Sequence, residues 1–447
     1  MRDLHMNPAL RGNTPPPAML GTAGLYLYAL AAMSSSVAAK IAVLCMAIGA
    51  ALQWRSFWQA LRSQPLFWLL LAFAAYLAIG AVIASQAFPQ TSDDQRRAVL
   101  DLLAASGPPL LLGAYWLRHD GQPRRRTTHI LLLAAVGLLL TITYKGAWSS
   151  LVQVANSSRF TMGMSPNAAG ILGGVLFWGA LLGLLSCIRL SVAIHMRWPF
   201  ALSMLALCLL GSMMLVLSGS KSAWVATALA LPPLALLYIR HALSQRQRRV
   251  ALAVLAIGVL LVALYASTLG RGVLETRTGS AITALAQILD EDSIDVKDGS
   301  IGPRLQMWNE AIAKVEQHPL TGWGPGSTKM LLRNSENPEI RNFPHFHNLP
   351  LHFLVSLGLL GTLLFYAIQA GLALKAWQSF RSGAAAAEHA FFALGGLALF
   401  HVAHLFQYRL NNTPGQFLLT LAGMVALSAA LQHQRHDARN ESPAAPH

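Results

Sequence analysis

Four basic side chains and one histidine stand where their types and surroundings suit chemistry at a membrane surface. Lys40 interrupts the apolar runs Val37-Ala38-Ala39 and Ile41-Ala42-Val43. A charge at that depth costs about 3 kcal/mol unless it reaches water or a partner. It therefore marks either a functional site or a lysine whose stem carries the ammonium out to the interface. Lys221 lies in Ser218-Gly219-Ser220-Lys221-Ser222-Ala223-Trp224, between two apolar stretches with hardly a loop. Small residues there admit a ligand, hydroxyls donate, and the ammonium suits a phosphate; the segment reads equally as a polar turn with an interface anchor. Arg159, in Ser157-Ser158-Arg159-Phe160-Thr161, precedes a helix start at Ser165-Pro166-Asn167, and an outer loop with an N-cap accounts for it as well.

Arg304 follows Ser300-Ile301-Gly302-Pro303 at the start of a helix whose apolar residues Leu305, Trp308, Ile312 and Val315 recur at helical spacing. Pro303 fits the first helical position. The unpaired amides and dipole of that first turn favour an anion, so the guanidinium either binds phosphate oxygens bidentately or pairs with an acid of the same loop. His318-Pro319-Leu320-Thr321-Gly322-Trp323-Gly324-Pro325-Gly326 then ends the helix in a turn. His347, in Pro344-His345-Phe346-His347-Asn348-Leu349-Pro350, is the best-placed general base. A neutral imidazole of ordinary pKa, about 6.5, takes a proton from a hydroxyl at neutral pH. A metal reading would enlist His345, His347 and His352, but no Cys or spaced Asp/Glu completes a ligand set, so no metal is expected. His401 and His404 could ligate, relay protons or pack within a bundle.

The elements that must position these groups are membrane helices. Of 447 residues 54% are hydrophobic and only 11% charged, against about 25% charged in a soluble domain. Mean hydropathy is +0.47. An all-α integral membrane protein follows, because lipid leaves no other way to satisfy a spanning backbone except a closed barrel. With no cleavable leader expected, twelve segments are predicted to span: 18–33, 36–52, 66–85, 99–117, 128–144, 167–187, 201–217, 223–239, 250–269, 349–374, 389–407 and 417–431. Cys45, Cys187 and Cys208 lie inside apolar runs and fit neither a disulfide framework nor a thiolate metal site.

Alternate loops hold eighteen and seven Lys/Arg, leaving out the long loop. Basic residues are retained on the cytoplasmic side, so both termini are predicted cytoplasmic. That asymmetry accounts for most of the +15 net charge, and no nucleic-acid partner is called for. The domain plan is spans one to nine over 1–268, an outward loop with the catalytic elements over 269–348, spans ten to twelve over 349–431, and a disordered cytoplasmic tail over 432–447. The loop from Arg271 to Asn348 carries ten acids against eight bases.

His347-Asn348, nine residues, then Gly358-Leu359-Leu360-Gly361 resembles the signature of the bacterial O-antigen ligases, a superfamily that also contains O-antigen polymerases and some protein O-oligosaccharyltransferases. Gly302-Pro303-Arg304 with Trp308, and His318-Pro319-Leu320 with its glycines, extend the likeness. Ser220-Lys221 departs from the family's usual Ser-Arg pair, keeping the charge and losing bidentate geometry. The resemblance implies a GT-C-like fold in the bacterial inner membrane with a periplasmic active site. It implies transfer of a glycan from undecaprenyl diphosphate to lipid A–core oligosaccharide in lipopolysaccharide biosynthesis, with no metal or nucleotide cofactor. His347 would be the base, and Arg304 and Lys221, with Arg159 and Lys40, would neutralise the diphosphate; Asn348, Gly358, Gly361 and Trp308 would support the motif. A polymerase, a protein oligosaccharyltransferase and a non-enzymatic transporter of lipid-linked glycan are the alternatives.

Overall fold

Long apolar runs that can satisfy their backbone only internally become helices throughout. The computed structural model describes residues 16–118, 123–145, 162–189, 194–268, 271 and 301–440. In chain order the helices are α1 (Pro16–Ala31), α2 (Ser36–Leu52), α3 (Trp54–Leu61), α4 (Pro65–Ala87), α5 (Ser92–Ser106), α6 (Pro108–Arg118), α7 (Pro123–Tyr144), α8 (Pro166–Arg189), α9 (Ile194–Leu217), α10 (Lys221–Ala242), α11 (Gln245–Ser267), α12 (Gly302–Gln317), α13 (Thr328–Arg333), α14 (Leu349–Arg381), α15 (Ala387–His404) and α16 (Thr413–Asn440). No strand occurs among the described residues, and the chain is an all-α membrane protein.

Each of the twelve expected segments falls on helix, yet only eight described helical stretches are long and apolar enough to cross a membrane, or nine if α2 and α3 count as one span. The difference has local causes. α1 has 16 residues. α2 has 17 and continues into α3 across a 97° bend. α15 has 18, but Glu388, His389, His401 and His404 dilute its apolar character. α11, which carries the expected segment 250–269, is also not among the eight, whereas α5 and α6 form one crossing interrupted at Gly107, as one segment was expected there. α16 continues to Asn440, into the stretch expected to be disordered, because Gln432 to Asn440 contains neither Gly nor Pro.

The core of the bundle is α16, almost wholly buried and packed on α5, α6, α14 and α15. Tryptophans tie neighbouring helices through their one donor: Trp116 Nε1 donates to the Met46 carbonyl at 3.0 Å and Trp178 Nε1 to that of Phe391 at 2.8 Å. Arg189 and Glu388 pair at 3.1 Å where α8 ends and α15 begins.

Residues 301–346 build a second, smaller core from Met307, Ala311, Leu331, Leu332, Ile340 and Phe346, completed by Val355 of α14. The inward face of α12 is thus Met307, Trp308, Ala311 and Val315. Ile312, expected inside, is 50% exposed. Two apolar stripes at helical spacing overlap on this helix, and the one containing Ala311 admits the closer approach of neighbouring backbone.

Candidate active site

α14 does not run straight from Asn348. Asn348 Oδ1 accepts from the Leu351 amide at 2.9 Å, capping the helix, while its Nδ2 donates to the Leu405 carbonyl at 2.9 Å and so fastens the cap to the end of α15. At Gly358 the backbone turns to φ 63°, ψ −172°, a region open essentially to glycine alone. The amides freed by that break are taken up by the turn after α12. Leu359 N–H donates to the Pro319 carbonyl (2.8 Å) and Leu360 N–H to that of Leu320 (3.1 Å). In return Trp323 and Gly324 N–H donate to the Val355 and Ser356 carbonyls, both at 2.9 Å.

Tyr76 of α4 locks the junction, its hydroxyl donating to the carbonyls of Leu357 (2.5 Å) and Thr321 (3.2 Å). Gly361 lies against the Tyr76 ring with no room for a Cβ. The turn is held from its other side by Gln95 of α5, which donates to Ser327 Oγ at 2.7 Å and accepts from the Gly326 amide at 2.7 Å. Gly358 and Gly361 therefore shape the ground on which the histidines stand.

His347 has φ 52°, an uncommon conformation for a side chain other than Gly or Asn. The ring is half-buried, 4.2 Å between centroids from His345 and 5.6 Å from Phe343. His345 lies 5.5 Å from Tyr408, which stacks on His352 at 3.8 Å. Trp308 of α12 donates from Nε1 to the Phe346 carbonyl at 3.1 Å, and Arg304 lies one helical turn before it.

The charge of Arg304 acts on His345, His347 and Arg409, which puts the guanidinium within electrostatic reach of the imidazole. Burial, then His345, Arg304 and Arg409, push His347 down from 6.5 to about 3. Burial and Arg409 push His345 down to about 4. Both rings are neutral at pH 7, and their Nδ1 atoms are buried without a hydrogen-bond partner. Among the described residues no group of three His, Cys, Asp or Glu is arranged to hold a metal ion.

Lys221 opens α10 behind its cap Ser220, whose hydroxyl donates to Asn167 Oδ1 of α8 at 2.9 Å. Gly170 of α8 packs directly on Ser218, Ser220 and Ala223, so the small residues of that turn serve helix contact. Lys40 is exposed near the start of α2, where its stem can carry the ammonium to the interface. Arg159 lies outside the described residues; the N-cap beyond it is present, with Ser165 Oγ accepting from the Ala168 amide at 3.3 Å. Arg409 and His345 were not among the residues assigned to the site, although His345 repeats His347 at a spacing of two.

Residues 205–366 match the family model described as O-antigen ligase. Over those residues the chain is similar to the O-antigen ligase family. The match runs from α9 to the first half of α14 and takes in Lys221, Arg304, Trp308, His347, Asn348, Gly358 and Gly361. No curated protein matches the chain. The matched segment thus contains His347, Arg304 and the glycine break, while Arg409, Tyr76 and Gln95 lie outside it.

Proposed function

We propose that the protein is an O-antigen ligase, an inverting, metal-independent glycosyltransferase of lipopolysaccharide biosynthesis. It moves the O-antigen glycan from undecaprenyl diphosphate to lipid A–core oligosaccharide at the periplasmic face of the bacterial inner membrane. The observation that supports this reading is the action of the Arg304 charge on His347 where α12 docks, through Trp308, beside the capped start of α14.

In the proposed step the acceptor sugar hydroxyl attacks the anomeric carbon opposite the diphosphate. The new carbon–oxygen bond forms as the bond to phosphate breaks, the hydroxyl proton passes to the His347 imidazole, and the diphosphate leaves with the electron pair. General-base assistance of this kind contributes about 10²- to 10⁴-fold. Arg304 offsets the charge of the leaving group, with Lys221, Arg159 and Lys40 as further donor-binding residues. A base held at about 3 is neutral and ready, but weak. Arrival of a diphosphate beside the same guanidinium compensates its charge and raises the basicity of His347 when substrate is in place. The donor is already activated, so no nucleotide is needed, and with cationic side chains on the diphosphate no divalent ion is needed either.

The test is transfer from polyprenyl-diphosphate glycan to lipid A–core by purified protein in nanodiscs, without nucleotide and with chelator, for wild type and His347→Ala. Product from wild type alone, with inverted anomeric configuration, is expected. Lengthened lipid-linked glycan without lipid A–core product would make the protein a polymerase instead, and activity restored only by metal would overturn the metal-independent step.

A further inference from the structure

Arg409 lies in the connection between α15 and α16, which is built to a fixed shape. Gln416 Nε2 donates to the Leu410 carbonyl at 2.8 Å, Asn412 N–H donates back to the Arg409 carbonyl at 3.4 Å, and Gly415 sits against that carbonyl with no space for a Cβ. The preceding residue, Tyr408, is buried and stacked on His352 beside His345, which brings Arg409 to the histidine cluster.

Its side chain has no hydrogen bond or ion pair to any described residue, and its Nε is buried without an acceptor. Asp101, whose charge reaches neighbouring Tyr408, is already bound by Gln416 at 3.0 Å and faces Arg97. The charge that does reach Arg409 is that of Arg304. A half-buried guanidinium with an orphaned donor, within electrostatic reach of a second guanidinium, is unfavourable without an acceptor. An anion beside Arg409 would supply the acceptor that its buried Nε lacks.

We propose that Arg409 is a phosphate-binding residue that grips the donor diphosphate opposite Arg304, so that the leaving group sits between α12 and the α15–α16 connection, next to His347. This rests on the glycan-transferase reading above and adds a ligand-binding residue from outside the ligase-family segment. It also gives the diphosphate a bidentate guanidinium partner, which Lys221 cannot be.

The test uses the full chain in nanodiscs, titrated with geranyl diphosphate and, separately, geranyl monophosphate, for wild type, Arg304→Gln, Arg409→Gln, Arg409→Lys and His347→Ala. Arg409→Gln is expected to weaken geranyl diphosphate binding about 10- to 100-fold, the loss of one charge-assisted contact. His347→Ala should bind nearly as wild type, and the monophosphate should bind more weakly than the diphosphate and lose less on removal of Arg409. Should Arg409→Gln fail to fold, Arg409→Lys carries the test, with a several-fold loss expected from the missing fork. If Arg304→Gln weakens binding while neither Arg409 variant does, the assignment of Arg409 falls and the transferase reading stands. If wild type binds no diphosphate, both fall.

Discussion

Replacing Gly358 by alanine should damage the site more than any other single methyl group added to the motif. Two costs combine. A side chain at φ 63°, ψ −172° is strained by about 1–3 kcal/mol. The new Cβ would also overlap the Leu320 carbonyl and stand 2.5 Å from the amide nitrogen of Gly322. Both obstacles are backbone atoms held in hydrogen bonds, so no flexible side chain can yield, and overpacking of this kind costs about another 1–3 kcal/mol.

Gly383, between α14 and α15, separates the two contributions, because it has φ 73° but nothing within 4 Å of its would-be Cβ. Gly383→Ala should therefore cost about 1 kcal/mol from backbone conformation alone. Gly358→Ala should cost about 2–6 kcal/mol and open the turn it pairs with. Thermal unfolding of the detergent-solubilised protein measures the difference, and amide exchange over 319–324 and 355–360 locates it. Equal melting of the two variants, with unchanged exchange in those segments, would refute the reasoning.

Both histidines have folded pKa values, about 3 for His347 and about 4 for His345, below the 6.5 of the unfolded chain. Their neutral forms stabilise the fold fully above pH 6.5, and that contribution is lost as pH falls through the folded values. Stability measured between pH 7 and 4 should therefore decline, and less steeply in a His345→Gln, His347→Gln double variant. The acid limb of kcat/KM should lie well below 6.5 in wild type and move upward in Arg304→Gln; a wild-type limb at 6.5 would contradict the electrostatics. Asn348→Ala should cost about 2 kcal/mol, one cap and one further hydrogen bond, whereas Asn348→Asp should recover the cap alone, as thermal unfolding would register. Gln95→Ala empties a fully buried site that joins α5 to the turn by two hydrogen bonds. It should lower stability by about 3 kcal/mol and increase exchange at Gly326.

Membrane helices were legible because hydropathy alone fixes them, and the His-Asn to Gly-x-x-Gly spacing was legible because it is local in sequence. Its physical meaning was not. Spacing cannot reveal that Gly358 breaks a helix or that its freed amides are received at Pro319 and Leu320, since that requires the turn after α12 to fold back. Arg409 stayed hidden for a related reason. It reaches His347 through a connection between two later helices, and nothing in Phe406-Gln407-Tyr408-Arg409-Leu410 distinguishes it from an interfacial arginine. The inward face of α12 was misjudged at Ile312 because periodicity supplies a spacing without an absolute phase. The expected span ended at Leu52, where α2 ends, but α3 beyond it was not anticipated, because Gln53 and Trp54 carry no signal of a new, bent helix.

The small core of residues 301–346 includes Val355, a residue of α14, and the turn after α12 completes the backbone pairing of that helix. Residues 301–346 and the first turns of α14 thus form one folding unit whose boundary lies beyond Leu360, inside what hydropathy marks as a span. A chimera with a homologue should exchange 301–360 as a block. An exchange ending at His347, where the soluble segment stops by hydropathy, would sever the unit through its core and separate the recipient glycine break from the turn that fits it.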